Sequence, residues 1–318
     1  MKSYVTIWML AFTLLLSSCS QKAEVMFERL QVEMLSNPQG IDVQVPRLSW
    51  VIQCQANEVR QTGYHVLVAS SLENLNDGNG DLWDSGEVAS GTSAYVAYEG
   101  KPLESRQQVY WKVKVQTNRG ASSWSDPQTW SMGLLEPSDW QGQWIGHSAL
   151  PLDKLNGHTI VPARYLRKEF SVDNKEVVRA TLYVCGLGLY EAFVNGHRIG
   201  DQQLAPTPTN YRKNVKYNTF DVTGQLRSGE NAIGVVLGNG RYVSLRMPGE
   251  PSSKDVEHFD VPKLLLQLEV RYADGSIEMV CSDNSWKLSV DGPIRANNEF
   301  DGEVYDANRE MPGWSEAG

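Results

Sequence analysis

A chain of 318 residues has room for two or three domains. Hydrophobic residues make up 41% of it, enough to build cores, which excludes a disordered chain. The net charge is −9 and no basic cluster stands out, so nucleic acid and anionic membrane surfaces are excluded as partners, because both require grouped Lys and Arg.

Taken from the start, Lys2 followed by the apolar run Val5 to Leu16 is too short to span a bilayer securely. It ends in Leu16-Ser17-Ser18-Cys19, which resembles a bacterial lipobox. Residues 1–19 therefore read as a lipoprotein signal peptide with Cys19 as the lipidated residue. The expected location is exported and lipid-anchored to the bacterial envelope, periplasmic or at the cell surface. The remaining Cys54, Cys185 and Cys281 each lie in an apolar strand pattern and are expected as buried free thiols. No Cys/His cluster suggests zinc.

Helical periodicity is nearly absent afterwards. Short apolar and aromatic runs broken by Gly, Asn, Asp and Pro predict an all-β chain. Residues 27–133 predict an immunoglobulin/fibronectin-III-like sandwich, with strands at 30–34, 47–53, 63–70, 93–98, 108–118 and 129–132. In Tyr110-Trp111-Lys112-Val113-Lys114-Val115-Gln116, the period of two sends Trp111, Val113 and Val115 inward and Lys112, Lys114 and Gln116 to water. Trp50, like Trp111, is expected in the core rather than stacked on a sugar.

Residues 134–160 read as a linker, with Trp140 and Trp144 pinning it. Residues 161–316 predict a second sandwich, a jelly-roll (galactose-binding-like) one, with strands at 165–172, 180–185, 190–194, 231–237, 263–272 and 277–282. Asn195-Gly196 between apolar runs is a strong hairpin signal, and Ala273 to Ser276 marks another.

Several separated motifs in this second half carry a resemblance: Cys185-Gly186-Leu187-Gly188-Leu189-Tyr190-Glu191, Gly238-Asn239-Gly240-Arg241-Tyr242, and Glu303-Val304-Tyr305-Asp306. Together they resemble the N-terminal domain of bacterial α-L-rhamnosidases, glycoside hydrolase family 78. The preceding Pro46-Arg47-Leu48-Ser49-Trp50 and Trp124-Ser125-Asp126-Pro127 segments are similar to the fibronectin-like domain that leads those enzymes. The resemblance implies an intact enzyme that hydrolyses terminal α-L-rhamnosides with inversion, and a rhamnose-containing glycan as partner. In that family the catalytic acids stand on a helical (α/α) barrel further along. The chain stops near Trp314, so the barrel, a possible downstream catalytic domain or chain, is expected to be absent, and no catalytic residue is assigned.

A sugar site needs an aromatic platform beside amide, carboxylate and guanidinium groups. Tyr190, Glu191, Asn239, Arg241 and Tyr242 supply these types in two short segments. The resemblance also implies calcium bridging, for which Glu191 and Asn239 are the oxygen donors available. The plain alternative is that the glycines serve a tight turn and Tyr242 packs in the core. Two other readings stay open: a stand-alone surface glycan-binding lipoprotein, and a hydrolase using Asp301 and Glu303, which share a strand face, with Asp221, Glu191 and Asp306 as further carboxylates.

Overall fold

The computed structural model describes residues 24–155, 158–243, 259–298 and 302–318; Cys19 and Asp301 lie outside them. The chain is nearly all β and divides into two compact units. The first comprises residues up to Ser36, Val45–Lys101 and Tyr110–Gln128; the second comprises Asn37–Gln44, Pro102–Val109 and Thr129–Gly318.

The strands run in chain order as β1 (Val25–Val32), β2 (Arg47–Cys54), β3 (Gln61–Ala69), β4 (Trp83–Asp84), β5 (Val96–Ala97), β6 (Gln108–Thr117), β7 (Gly120–Ala121) and β8 (Gln128–Ser131). Then come β9 (Ile145–Gly146), β10 (Asp153–Leu155), β11 (His158–Ile160), β12 (Arg164–Val172), β13 (Val177–Gly186), β14 (Leu189–Val194), β15 (His197–Ile199) and β16 (Asn218–Asp221). The last are β17 (Gly229–Gly238), β18 (Lys263–Tyr272), β19 (Ile277–Cys281), β20 (Lys287–Ser289), β21 (Ile294–Asn298) and β22 (Gly302–Tyr305).

In the first unit, β1, β2 and β5 form one antiparallel sheet, and β4, β3, β6 and β7 form another. Trp111, Val113 and Val115 are buried, as the alternation predicts, and so is Trp50; on β3 the run Val66 to Ala69 is buried without alternation. Trp50 keeps its indole nitrogen satisfied by donating to Gln61 Oε1 at 2.9 Å. Lys112 departs from the expectation. It is buried, because the outer face of β6 is also covered. A helix α1 (Leu72–Asn76), capped by the Ser71 hydroxyl, lies over it. The Lys112 ammonium donates to Leu75 O at 2.6 Å and stands 5.2 Å from the Trp124 ring centre. Burial pulls the Lys112 ammonium below its ordinary range.

In the second unit, one sheet has the order β15-β14-β17-β12-β20 and the facing one the order β16-β13-β18-β19, with β9 also on β18. Long in-register pairings, Val172↔Gly229 to Arg164↔Leu237 and Leu182↔Leu268, hold the two sheets. Leu166, Leu182, Val184, Val194, Ile233, Val235, Leu237, Leu266, Leu268 and Val270 fill the space between them. Each such fully buried side chain contributes roughly 1.5–3 kcal/mol relative to exposure. The Asn195-Gly196 hairpin forms as predicted. Both residues have positive φ, +49° and +80°, which is what the tight two-residue turn joining β14 to β15 requires.

Trp140 is held by Tyr183 and Tyr217, with ring centres at 6.5 and 5.4 Å, whereas Trp144 is exposed rather than pinned. Among the described residues the three cysteines are free, as expected. Only Cys185 is fully buried; Cys54 and Cys281 sit at half-exposed strand ends.

Candidate functional site

The Gly238 to Tyr242 segment ends β17 and turns into a short 3₁₀ helix, Gly240–Tyr242. Its residues face different ways, and the environment of each decides what it can do.

Asn239 is buried and saturated. Its Oδ1 accepts from Arg164 Nη1 at 2.6 Å, and its Nδ2 donates to Val161 O at 3.1 Å and Asn297 O at 3.0 Å. Arg164 is itself fully buried; among the described residues its Nε and Nη2 have no partner, and burial pulls its pKa to about 10. Tyr190 is committed too. It belongs to the core between the sheets, donates its hydroxyl to Asn218 Oδ1 at 2.8 Å, and is held neutral by burial. Glu191 points outward from β14 and receives Arg198 Nε at 3.2 Å.

This geometry corrects the calcium expectation. Asn239 Oδ1 already accepts from a buried cation, which would repel a second one, and Glu191 is an exposed residue bonded to Arg198. The residues present do not fit calcium, and no cluster of three or more His, Cys, Asp or Glu suited to a metal occurs among the described residues. Tyr190 and Asn239 are likewise removed as sugar-contacting groups, since neither has a free polar atom directed to solvent.

Arg241 is exposed, and Tyr242 is nearly buried in a three-ring cluster. Tyr211 meets Tyr242 edge-on at 5.2 Å and Phe259 at 5.2 Å, while Tyr242 and Phe259 stack at 5.7 Å. Phe259 N also donates to Tyr242 O at 3.2 Å. Burial, with the Asp260 carboxylate nearby, raises the Tyr242 phenol above its ordinary range. Tyr211 and Phe259 escape a sequence reading because they stand in irregular segments with no period. The available signal was an aromatic after the Pro206-Thr207-Pro208-Thr209-Asn210 loop. Half-buried Tyr211 beside exposed Arg241 and nearly buried Tyr242 forms the surface of this site.

The remaining carboxylates have local work. Asp221 accepts from Thr223 N at 3.0 Å, and Asp306 from Asn308 N at 3.1 Å, both closing turns. Glu303 is exposed on the β21–β22 hairpin.

An immunoglobulin-like unit followed by a two-sheet sandwich defines a tandem all-β chain. Residues 27–136 match the model of the Rha78A-like N-terminal immunoglobulin domain, and residues 175–318 that of the α-L-rhamnosidase N-terminal domain. An α-L-rhamnosidase of Formosa agariphila is 37% identical over 323 residues, covering 94% of this chain and 33% of the relative. The structure of α-L-rhamnosidase from Dictyoglumus thermophilum superposes with a TM-score of 0.81 at 40% identity, covering 91% of this chain and 32% of that one. The Streptomyces avermitilis α-L-rhamnosidase, solved in complex with L-rhamnose, gives 0.81 at 26% identity, over 92% and 44%. The chain belongs to the N-terminal region of the α-L-rhamnosidases of glycoside hydrolase family 78. It spans about a third of the length of the curated relatives it matches.

Proposed function

We propose that this chain serves as the non-catalytic β portion of an α-L-rhamnosidase, orienting a helical catalytic barrel and holding a rhamnose-containing glycan through the Arg241 surface. The observation that carries the reading is the order of two independent family models, immunoglobulin-like then rhamnosidase N-terminal, along one chain. The whole enzyme would act on terminal α-L-rhamnosides. Residues 1–19 would export the protein, and lipidated Cys19 would anchor it to the envelope.

At the site, the sugar's apolar face would rest on the Tyr211 and Tyr242 edges, while the Arg241 guanidinium donates to vicinal hydroxyls. Calorimetry with L-rhamnose at millimolar concentration tests this. Heat of binding that is unchanged by a calcium chelator, and roughly tenfold weaker affinity in Arg241→Ala, is expected, since a charged hydrogen bond contributes about 1.5–3 kcal/mol. No heat from the unmodified protein, with or without calcium, removes the binding part of the reading. Mass spectrometry of the membrane fraction for an acylated Cys19 peptide tests the anchor.

A further inference from the structure

The first unit carries a cleft of about 390 Å³ that the rhamnosidase reading does not use. Its lining comes from β3, β4, β5 and the loop between β4 and β5. Tyr64 and Trp83, both half-buried, give it two aromatic surfaces. Each ring is braced from behind by a buried aromatic: Tyr64 by Trp50 at 5.3 Å and Trp83 by Tyr98 at 5.5 Å. Such bracing fixes the rings before any ligand arrives, which lowers the ordering cost of binding.

The polar groups of the cleft are unevenly occupied. Asp84 Oδ1 accepts from Gly86 N at 2.9 Å and meets His65 Nε2 at 2.6 Å, while its second oxygen takes no bond among the described residues. Glu99 is exposed, and its carboxylate has no hydrogen-bond or ion-pair partner among the described residues. Ser90 and Thr92 add hydroxyls beside Val88, Val96 and Ala97.

We infer that this cleft is a binding site for one neutral sugar unit, built on the Tyr64 and Trp83 rings with Glu99 and Asp84 as hydroxyl acceptors. The inference rests on the saccharide reading above only for the class of molecule the protein meets. Four features select the ligand. The volume suits a small ligand in a formed pocket. Rings beside unfilled acceptors match a molecule with an apolar face and a rim of hydroxyls. Two carboxylates and no Lys or Arg in the lining disfavour phosphates and uronic acids. A wholly apolar ligand would desolvate carboxylates and hydroxyls without replacing their bonds.

Saturation-transfer NMR on the whole chain tests it. The probes are methyl α-L-rhamnoside, methyl β-D-glucoside and methyl β-D-galactoside, with galacturonate and ethanolamine as charged counterparts. At least one neutral glycoside is expected to show transfer that survives Arg241→Ala and Tyr211→Ala. That signal should weaken at least about fivefold in Glu99→Gln and vanish in Trp83→Ala. Glu99→Gln is exposed and changes no packing, so it stays informative if Trp83→Ala fails to fold. Transfer abolished by Arg241→Ala alone would place all binding in the second unit and overturn this site while leaving the earlier reading intact. Stronger transfer to galacturonate or ethanolamine, or none to any neutral glycoside, would overturn it as well.

Discussion

Asn239 accepts a 2.6 Å hydrogen bond from the fully buried Arg164, and this pair explains why the most sugar-like amide in the sequence faces inward. The guanidinium has only Asn239 Oδ1 and, at 3.5 Å, Leu237 O as acceptors among the described residues. Replacing Asn239 by Leu leaves a buried cation without its best acceptor and takes one donor each from Val161 O and Asn297 O, of which Val161 O keeps Asn297 Nδ2 at 3.4 Å. Loss of a partner to a buried charge costs about 3–5 kcal/mol. Urea unfolding of Asn239→Leu should show that loss equally in calcium and in chelator. A loss confined to the calcium-containing sample would instead make Asn239 a metal ligand.

Gly234 sits under Trp314. A β-carbon there would lie 2.7 Å from Trp314 Cζ3 and 2.8 Å from Ser315 Cβ, so the outer face of β17 is free of side chain where the C-terminal turn lies down. Trp314 is held edge-on by Tyr165 at 5.3 Å and Phe193 at 5.6 Å. Gly234→Ala should therefore cost about 1–3 kcal/mol by overpacking, with Trp314 fluorescence shifting toward that of a solvated indole. In a Trp314→Ala background the same substitution should cost less, because part of the clash is gone. Equal costs in the two backgrounds would mean that the indole is not seated on the glycine.

Strand existence was legible because burial imposes a period of two, and hairpins were legible where Asn-Gly demands positive φ. What escaped had no period. The short β16 and β20 are edge strands whose pairing is set by neighbours far along the chain, Leu182↔Phe220 and Leu166↔Leu288. Lys112 reads as solvent-facing until α1 and Trp124 cover it, a tertiary event with no local trace. The site suffered the same limit. Residue type named Asn239 and Tyr190 as ligands, but partners from β12 and β16 claimed both. Arg241 instead lies exposed in the short 3₁₀ helix after the turn.

The Cys185 thiol gives a signature in alkali. Burial raises its pKa from an ordinary 9.0 to about 12, while its Sγ donates to Lys216 O at 3.3 Å. The folded state then keeps a proton that the unfolded chain releases, so this contribution is complete below pH 9 and is lost as pH climbs toward 12. The slope is about 1.4 kcal/mol per pH unit, reaching about 4 kcal/mol. Tyrosines titrate in the same window, so the measurement is a difference. Thermal unfolding of the parent and Cys185→Ala from pH 8 to 11.5 should show the parent's advantage shrinking as pH rises. Parallel curves would mean that the thiol is solvated.

Arg106 gives the acid counterpart. Its guanidinium bridges Asp139 at 3.1 Å and Glu269 at 3.0 Å, and Asp139 also accepts from the Ser105 hydroxyl and Glu136 N. Burial alone would raise the Asp139 carboxyl, but these donors outweigh it and hold it below its ordinary 3.8. A carboxylate so depressed contributes stability that is present above pH 3.8 and lost as pH falls through its folded value. Arg106→Met removes the shared cation from two largely buried carboxylates, of which Asp139 keeps Ser105 and Glu136, and Glu269 keeps Arg271 at 2.8 Å. With those partners retained, the loss at pH 7 should be about 2–4 kcal/mol, near the lower range for a broken buried pair. It should shrink as pH falls below 3.8, because a protonated Asp139 no longer needs the cation. Chemical unfolding at pH 7 and pH 3 checks both parts, and an undiminished loss at pH 3 would show that Arg106 acts through the packing of its aliphatic stem rather than through charge.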